Sequence, residues 1–312
     1  MNTLVIMPEK TSLAQKITNS IAAISTATKL VGKNIRKQTT KKSLIKKNPH
    51  PKINLINNAK KLISNPILQA IGKKLIEINT KNNLSIYTHN ICWTQPKTDH
   101  MRIAEKIETL QPDIVCLQEV VFQSQAGILN LPRYYKSIAE SSGQRIVKGG
   151  LAIYSKKKPL CVNFIKFEKQ GKIFSPQLAE RQLEKGFLVV EFEDYLIINT
   201  HLTSPHRKST MDTLKVYDSQ IQQILLVSKN STKQIFLVGD LCFTNNSDNF
   251  KNFIQPNFID LTTKIPYTFL KWKTKNDFIL STKPISSYKT RTIRFTHKEP
   301  SDHFAIFSQL YL

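Results

Sequence analysis

In QIFLVGDLC, residues 234–242, a short apolar run of β-branched and aromatic residues ends abruptly in Gly239 and Asp240. A run of this kind reads as a buried strand. A carboxylate placed where such a strand emerges is held by a rigid frame, and the adjacent glycine lets another group approach the backbone closely. Four other strand-like runs carry polar groups at or near their ends: LSIYTHN closes at Asn90, PDIVCLQE closes at Glu119, YLIINTHL carries Asn199 and His201, and SDHFAIF opens with Asp302 and His303. Asp277, in NDFIL, belongs to the same class. Hydrolysing a phosphodiester needs charge neutralised on the phosphoryl oxygens, a positioned water that can lose a proton, and a route to stabilise the leaving oxygen. A hard divalent cation supplies the first and prefers carboxylate and water oxygens. Carboxylates, imidazoles and amides gathered at strand ends therefore predict a metal-dependent phosphoester site.

Taken in order, N, QE, NTHL, GD, D and SDH resemble the motifs of the endonuclease/exonuclease/phosphatase superfamily, the group containing DNase I, AP endonucleases, neutral sphingomyelinases and inositol 5-phosphatases. The resemblance covers roughly residues 84–312. It implies an α/β (α+β) fold, a four-layer α/β/β/α sandwich of two mixed β-sheets flanked by helices, and Mg2+ or Mn2+ as cofactor. It also implies that Glu119 binds the metal, with Asn90 close by and Asp302 assisting, and that His303 is the catalytic histidine. Asp277 matches an aspartate found before the SDH motif, and a carboxylate near His303 would fix its tautomer and favour its charged form. His201 would lie near the scissile phosphate with Asn199 on the same motif, as in the DNase, sphingomyelinase and 5-phosphatase branches and unlike AP endonucleases. Asp240 would orient or deprotonate the nucleophilic water.

The sequence departs from that pattern at one place. Two residues after Asp240, on the same face if the strand continues, the family has an asparagine whose amide donates to a phosphate oxygen; this chain has Cys242. A thiol is a weak donor, and losing one such donor typically costs about a hundred- to a thousandfold in rate. Asn245 or Asn246 is the candidate replacement. A catalytically weak member that binds nucleic acid or membrane is the corresponding alternative.

Charge points to an anionic partner. The chain of 312 residues carries 46 Lys+Arg against 22 Asp+Glu, a net of +24. Residues 1–83 hold 16 Lys+Arg and 2 Asp+Glu, and the remainder is still basic at +10. Such a balance suits nucleic acid, an anionic membrane surface or phosphorylated small molecules, although a composition rich in Lys, Asn and Ile with few Arg is an alternative source of the charge. Arg181, Lys185 and Lys148 are candidate phosphate contacts, with a solvated basic face as the plainer reading. Trp93 and Trp272 are candidates for contact with a base or a lipid head group. Cys92, Cys116, Cys161 and Cys242 show no metal-type spacing, read as small buried hydrophobes and suggest no zinc site.

The elements that must position these groups follow from periodicity. Residues 1–83 read as a basic extension, helical or partly disordered, with apolar residues at helical spacing from Leu13 to Ile35, a Lys-rich linker at 37–54, and a second helical pattern from Ile67 to Ile78. The amphipathic first segment suits packing, a membrane surface or a transit-like role. Residues 84–312 then alternate strands with helices at 97–110 and 206–229, which favours an α/β layer architecture. No run of 18 apolar residues and no secretory signal is seen, so a soluble monomer, cytoplasmic or exported without a signal, is expected. The function so read is a divalent-metal-dependent phosphodiester hydrolase. Nuclease activity stands ahead of sphingomyelinase-type or other phospholipid or phosphoinositide cleavage.

Overall fold

A computed structural model describes residues 83–140, 145–170, 184–203, 211–244 and 246–312. The expectations for residues 1–82, Arg181 and Asn245 lie outside the described residues. The chain divides at Gly72 and Lys73, and every described residue belongs to the second unit.

Two six-stranded sheets form its centre. The first comprises β1 (Asn83–Asn90), β2 (Ile114–Gln118), β3 (Tyr135–Glu140), β4 (Val147–Ser155), β11 (Ser287–Ile293) and β12 (Ala305–Tyr311), in the order β11-β12-β1-β2-β4-β3. The second comprises β5 (Cys161–Lys166), β6 (Gly186–Glu191), β7 (Tyr195–His201), β8 (Gln234–Asp240), β9 (Ile259–Asp260) and β10 (Asp277–Ser281), in the order β5-β6-β7-β8-β10-β9. Both are mixed: β1 with β2 and β7 with β8 run parallel, and the other pairs are antiparallel. Helix α1 (Lys97–Leu110) follows β1, the short α2 (Gln123–Ile128) follows β2, and α3 (Met211–Lys229) joins β7 to β8.

Alternation along each strand divides its residues between two cores. Ile86, Ile114, Cys116, Leu151 and Ile153 of the first sheet meet Leu188, Val190, Ile197, Phe236, Val238 and Ile279 of the second in a core between the sheets. Tyr87, Val115 and Leu117 face the other way, onto Ile103 and Ile107 of α1. Ile198, Leu196, Ile235 and Leu237 do the same for Tyr217, Ile221, Ile224 and Leu225 of α3. The result is the four-layer α/β/β/α sandwich. Continuing the period-two count on the inward faces carries it from Ile86 to Asn90, from Cys116 to Gln118, from Ile197 to Asn199 and His201, from Val238 to Asp240, and from Ile279 back to Asp277. The polar strand ends thus share the inter-sheet side because their apolar neighbours do.

Several elements carry no such pattern. In β11 the residues from Ser287 to Arg291 are mostly exposed and polar, and β3, β9, α2 and a π-helical turn at Phe250–Ile254 are short or irregular. The cysteine expectation needs a correction: Cys116 and Cys242 are buried, but Cys161 is exposed and Cys92 half-buried. Cys161 opens β5, an edge strand whose residues lie largely at the surface.

Gly239 fixes how closely β7 and β8 approach. Its φ is +133°, and a Cβ built there would lie 2.1 Å from the Thr200 carbonyl oxygen. Neither condition can be met by an L side chain without backbone movement. Gly239→Ala is therefore expected to lower unfolding free energy by on the order of 3 kcal/mol, read from urea denaturation midpoints. A variant within 1 kcal/mol (roughly the scale of an ordinary surface change) would show that the strands part easily.

Candidate active site

Strand registers do most of the assembly. His201 is paired with Asp240 across the parallel β7 and β8, and Asp277 is paired with Asp240 across the antiparallel β10 and β8. Three chemically active side chains therefore sit in one row of the second sheet. From the first sheet, Asn90 ends β1 beside Gln118 of β2. Glu119 then leaves the strand with φ +62°, a left-handed turn that swings its side chain out of the ladder. Gly150 lies beside that turn with a φ of its own of +62°, and since a Cβ there would meet the Glu119 Cα at an ordinary 3.5 Å, it is the backbone conformation rather than space that favours glycine.

Asn90 joins the two halves. Its Nδ2 donates to Glu119 Oε1 and to Asp240 Oδ2, both at 3.1 Å, while its Oδ1 accepts the Cys92 N–H at 3.1 Å. Expected beside a metal, Asn90 is placed here as a bridge between two carboxylates, with its oxygen already taken. Glu119 Oε2 accepts the Trp93 N–H at 3.1 Å.

His303 is held from several directions. Its Nδ1 lies 2.8 Å from Asp277 Oδ2, and its backbone N–H donates to Ser301 Oγ, which in turn donates to the Asn90 carbonyl. The carboxylate only accepts, so the His303 Nδ1 carries a proton. Its Nε2 faces Asp240 Oδ2 at 3.7 Å, and the His201 Nε2 faces the same oxygen at 3.7 Å. The fully buried His89 supports His303 from behind, with Nε2 3.1 Å from its carbonyl.

The two histidines differ in charge. Burial alone would lower the His303 pKa, but the Asp277, Asp240 and Asp302 carboxylates outweigh it and hold the group up at about 10. Burial, with the Lys185 ammonium and His303 adding to it, pulls His201 down to about 3 against the pull of Asp240. At neutral pH His303 is a cation and His201 is not. Burial raises the Glu119 carboxyl despite its hydrogen bonds from Asn90 and Trp93, the behaviour of an acid that lacks a full positive partner. Among the described residues, Glu119, Asp240, Asp277 and Asp302 offer hard oxygen donors against the cations Lys185 and His303, a set that fits a divalent cation of the Mg2+ class.

This charge has a stability consequence. His303 binds its proton more tightly folded than unfolded, so its contribution is fully present below pH 6.5 and is lost as pH rises through about 10. Metal-free protein is expected to lose urea resistance across that interval, and His303→Gln to lose less. Parallel curves for the two would contradict the cationic assignment.

The remaining expected residues are placed as follows. Lys185 is buried, donates to the Leu202 carbonyl at 3.3 Å and acts electrostatically on both His201 and Glu119, so it faces the site rather than bulk solvent. Asp302 is exposed at its rim. Asn199 lies wholly between the sheets, donating to the Leu117 and Ala152 carbonyls at 2.9 and 3.1 Å and accepting from Gln118 at 2.7 Å. Its amide is committed to holding the sheets together. Cys242 corrects the expectation of a shared strand face: β8 ends at Asp240, Cys242 has φ +55°, and its backbone N–H donates back to Asp240 Oδ1 at 2.8 Å. Its thiol donates to the Leu202 carbonyl at 3.3 Å. His89, Ser301 and the Trp93 N–H belong to this site without standing out in the sequence. Ser301 belongs to the SDH motif, but nothing local to His89 or the Trp93 backbone signals a role.

Comparison with known proteins bears on this geometry. The model of the endonuclease/exonuclease/phosphatase family matches residues 87–303. Comparison with curated protein sequences found no match. Among solved structures, truncated TDP2 from Caenorhabditis elegans is similar at 19% identity and a TM-score of 0.56, over 74% of this chain and 98% of that one. Sphingomyelinase C from Streptomyces griseocarneus is similar at 17% and 0.56, over 73% and 99%. A beta toxin variant from Staphylococcus aureus, with bound magnesium ions, is similar at 17% and 0.56, over 72% and 99%. At these identities the likeness is one of fold.

Proposed function

Because the chain belongs to the endonuclease/exonuclease/phosphatase family, whose members are typically hydrolases of phosphodiester bonds, we propose that it is a divalent-cation-dependent phosphodiesterase acting on nucleic acid. The observation that carries this reading is the pair of histidines, one cationic and one neutral, each with Nε2 3.7 Å from one Asp240 oxygen. Cationic His303 offers a charge-assisted N–H to a phosphoryl oxygen, and Asp277 keeps it charged and oriented. Asp240, held by the Asn90 amide and the Cys242 N–H, accepts the proton of a water positioned for in-line attack. Neutral His201 leaves room for the incoming anion without pairing with Asp240. Lys185 adds positive potential from behind. When bound at Glu119 and Asp302, Mg2+ or Mn2+ would neutralise charge on the phosphoryl oxygens.

The nucleic-acid assignment rests on charge: residues 84–312 alone carry a net of +10, which favours a polyanion over a single head group. A phospholipid is the second reading, favoured by Trp272. Its half-exposed indole packs edge-on against Phe269 at 5.2 Å, and the Phe269 ring lies 4.8 Å from that of His303. An aromatic placed so can stack on a base or sit among head groups. Cleavage of plasmid DNA, RNA and sphingomyelin vesicles, each with Mg2+ and with EDTA, tests both readings. DNA or RNA cleavage abolished by EDTA is expected, sphingomyelin cleavage alone would favour the second, and no cleavage of any would leave a binding protein.

A further inference from the structure

We propose that His201, Asp240 and Cys242 form a binding site for a thiophilic transition-metal ion of the Zn2+ class. The nitrogen, oxygen and sulfur donors of these three buried side chains all lie within 4.8 Å of one another. This trio shares Asp240 with the oxygen donors that suit a hard cation but adds the softer His201 and Cys242, and the argument for it does not depend on the hydrolytic reading.

The donor chemistry selects the ion. Mg2+ demands oxygen ligands in near-octahedral geometry, whereas a thiolate, an imidazole and a carboxylate together suit Zn2+ or Co2+. Bonds of about 2.0 to 2.3 Å in a tetrahedron put ligand atoms about 3.3 to 3.8 Å apart. His201 Nε2 and Asp240 Oδ2 are already 3.7 Å apart. The supporting contacts are in place as well. Asp240 is fixed by Asn90 Nδ2 on one oxygen and the Cys242 N–H on the other, and the left-handed turn at Cys242 folds the thiol back toward the strand end. Its carbonyl is in turn held by the Tyr217 hydroxyl at 3.3 Å. Three protein ligands leave a fourth position for water or an anion, the pattern of an open rather than a closed zinc site. Binding replaces the thiol proton: the S–H bond breaks, a sulfur–metal bond forms from the thiolate pair, and one proton is released to buffer. The cysteine spacing alone suggests no zinc site, because two of the three ligands come from different strands and are adjacent only through the β7 and β8 register.

The test uses the full chain, stripped with chelator, kept reduced with a phosphine and titrated with Co2+ alone. A sulfur-to-cobalt charge-transfer band in the near ultraviolet that saturates at one equivalent with release of one proton, and is bleached when Zn2+ displaces the cobalt, is expected. Cys242→Ser should abolish the band and weaken Zn2+ binding by more than about a hundredfold. Cys92→Ser and Cys161→Ser should leave both unchanged, and His201→Gln should weaken binding with the band retained in part. Absence of a band in the unmodified protein overturns the proposal even if a variant fails to fold, and so does a band that persists in Cys242→Ser. Mg2+ gives no such band, so failure here leaves the cleavage assays untouched, and their failure leaves this site standing.

Discussion

Asp277→Asn is expected to reduce phosphodiester turnover by about ten-thousandfold, the scale seen when an aspartate orienting a catalytic histidine becomes an amide. The carboxylate is the largest support for the His303 charge, through its field and its 2.8 Å contact with Nδ1. Without it, burial prevails and His303 loses its proton at much lower pH. An asparagine can also present its NH2 to Nδ1, which shifts the remaining proton onto the other nitrogen. The pH profile separates this from simple damage. In the parent enzyme the alkaline limb should lie near the His303 value of about 10, and in Asp277→Asn it should move down by several pH units. A variant that is merely misfolded would lose rate without moving that limb. An unchanged profile at full rate would remove His303 from the chemistry.

Cys242→Asn is expected to raise the rate about a hundred- to a thousandfold, the worth of one amide donor aimed at a developing phosphoryl charge. The backbone favours it, because φ at this position is +55° and asparagine tolerates the left-handed region better than most residues. One amide proton can keep the contact the thiol now makes with the Leu202 carbonyl, and the second is free to face the substrate. Steady-state kinetics of parent and variant at saturating Mg2+ measure the difference. Equal rates would mean that another group supplies the donor, and loss of activity would mean that the thiol is itself required.

Much of this architecture was legible because the site sits at the ends of well-patterned strands. The apolar runs before Asn90, Glu119 and Asp240 announce buried strands, and period-two alternation sends Asn90 and Asp240 to one side, whereas Glu119 falls on the opposite count and reaches the site through its left-handed turn. What could not be read was anything set by pairing between distant strands. The sequence does not reveal that Asp277 rather than Asp302 grips His303, since both lie near it and only the β10 register decides. Asn199 looks like a site residue because it shares a motif with His201, yet its face of β7 is met there by β2 and β4. The turn at Cys242 is not legible because the apolar pattern runs on through Leu241 while the ladder ends at Asp240. β11 was missed because it is an exposed, largely polar edge strand with little apolar alternation to betray it.

The Asn90 contact with Asp240 and the His303 contact with Asp277 both cross the seam between the sheets. The same few bonds that tune the chemistry are thus also rivets between two plates, with the Asn199 amide as a third deeper in. Mechanical loosening of that seam would part donors from acceptors while each plate still kept its own ladder of backbone bonds. Warming or mild denaturant should therefore extinguish activity before far-ultraviolet ellipticity falls, and saturating substrate, by bridging the plates, should draw the two transitions together.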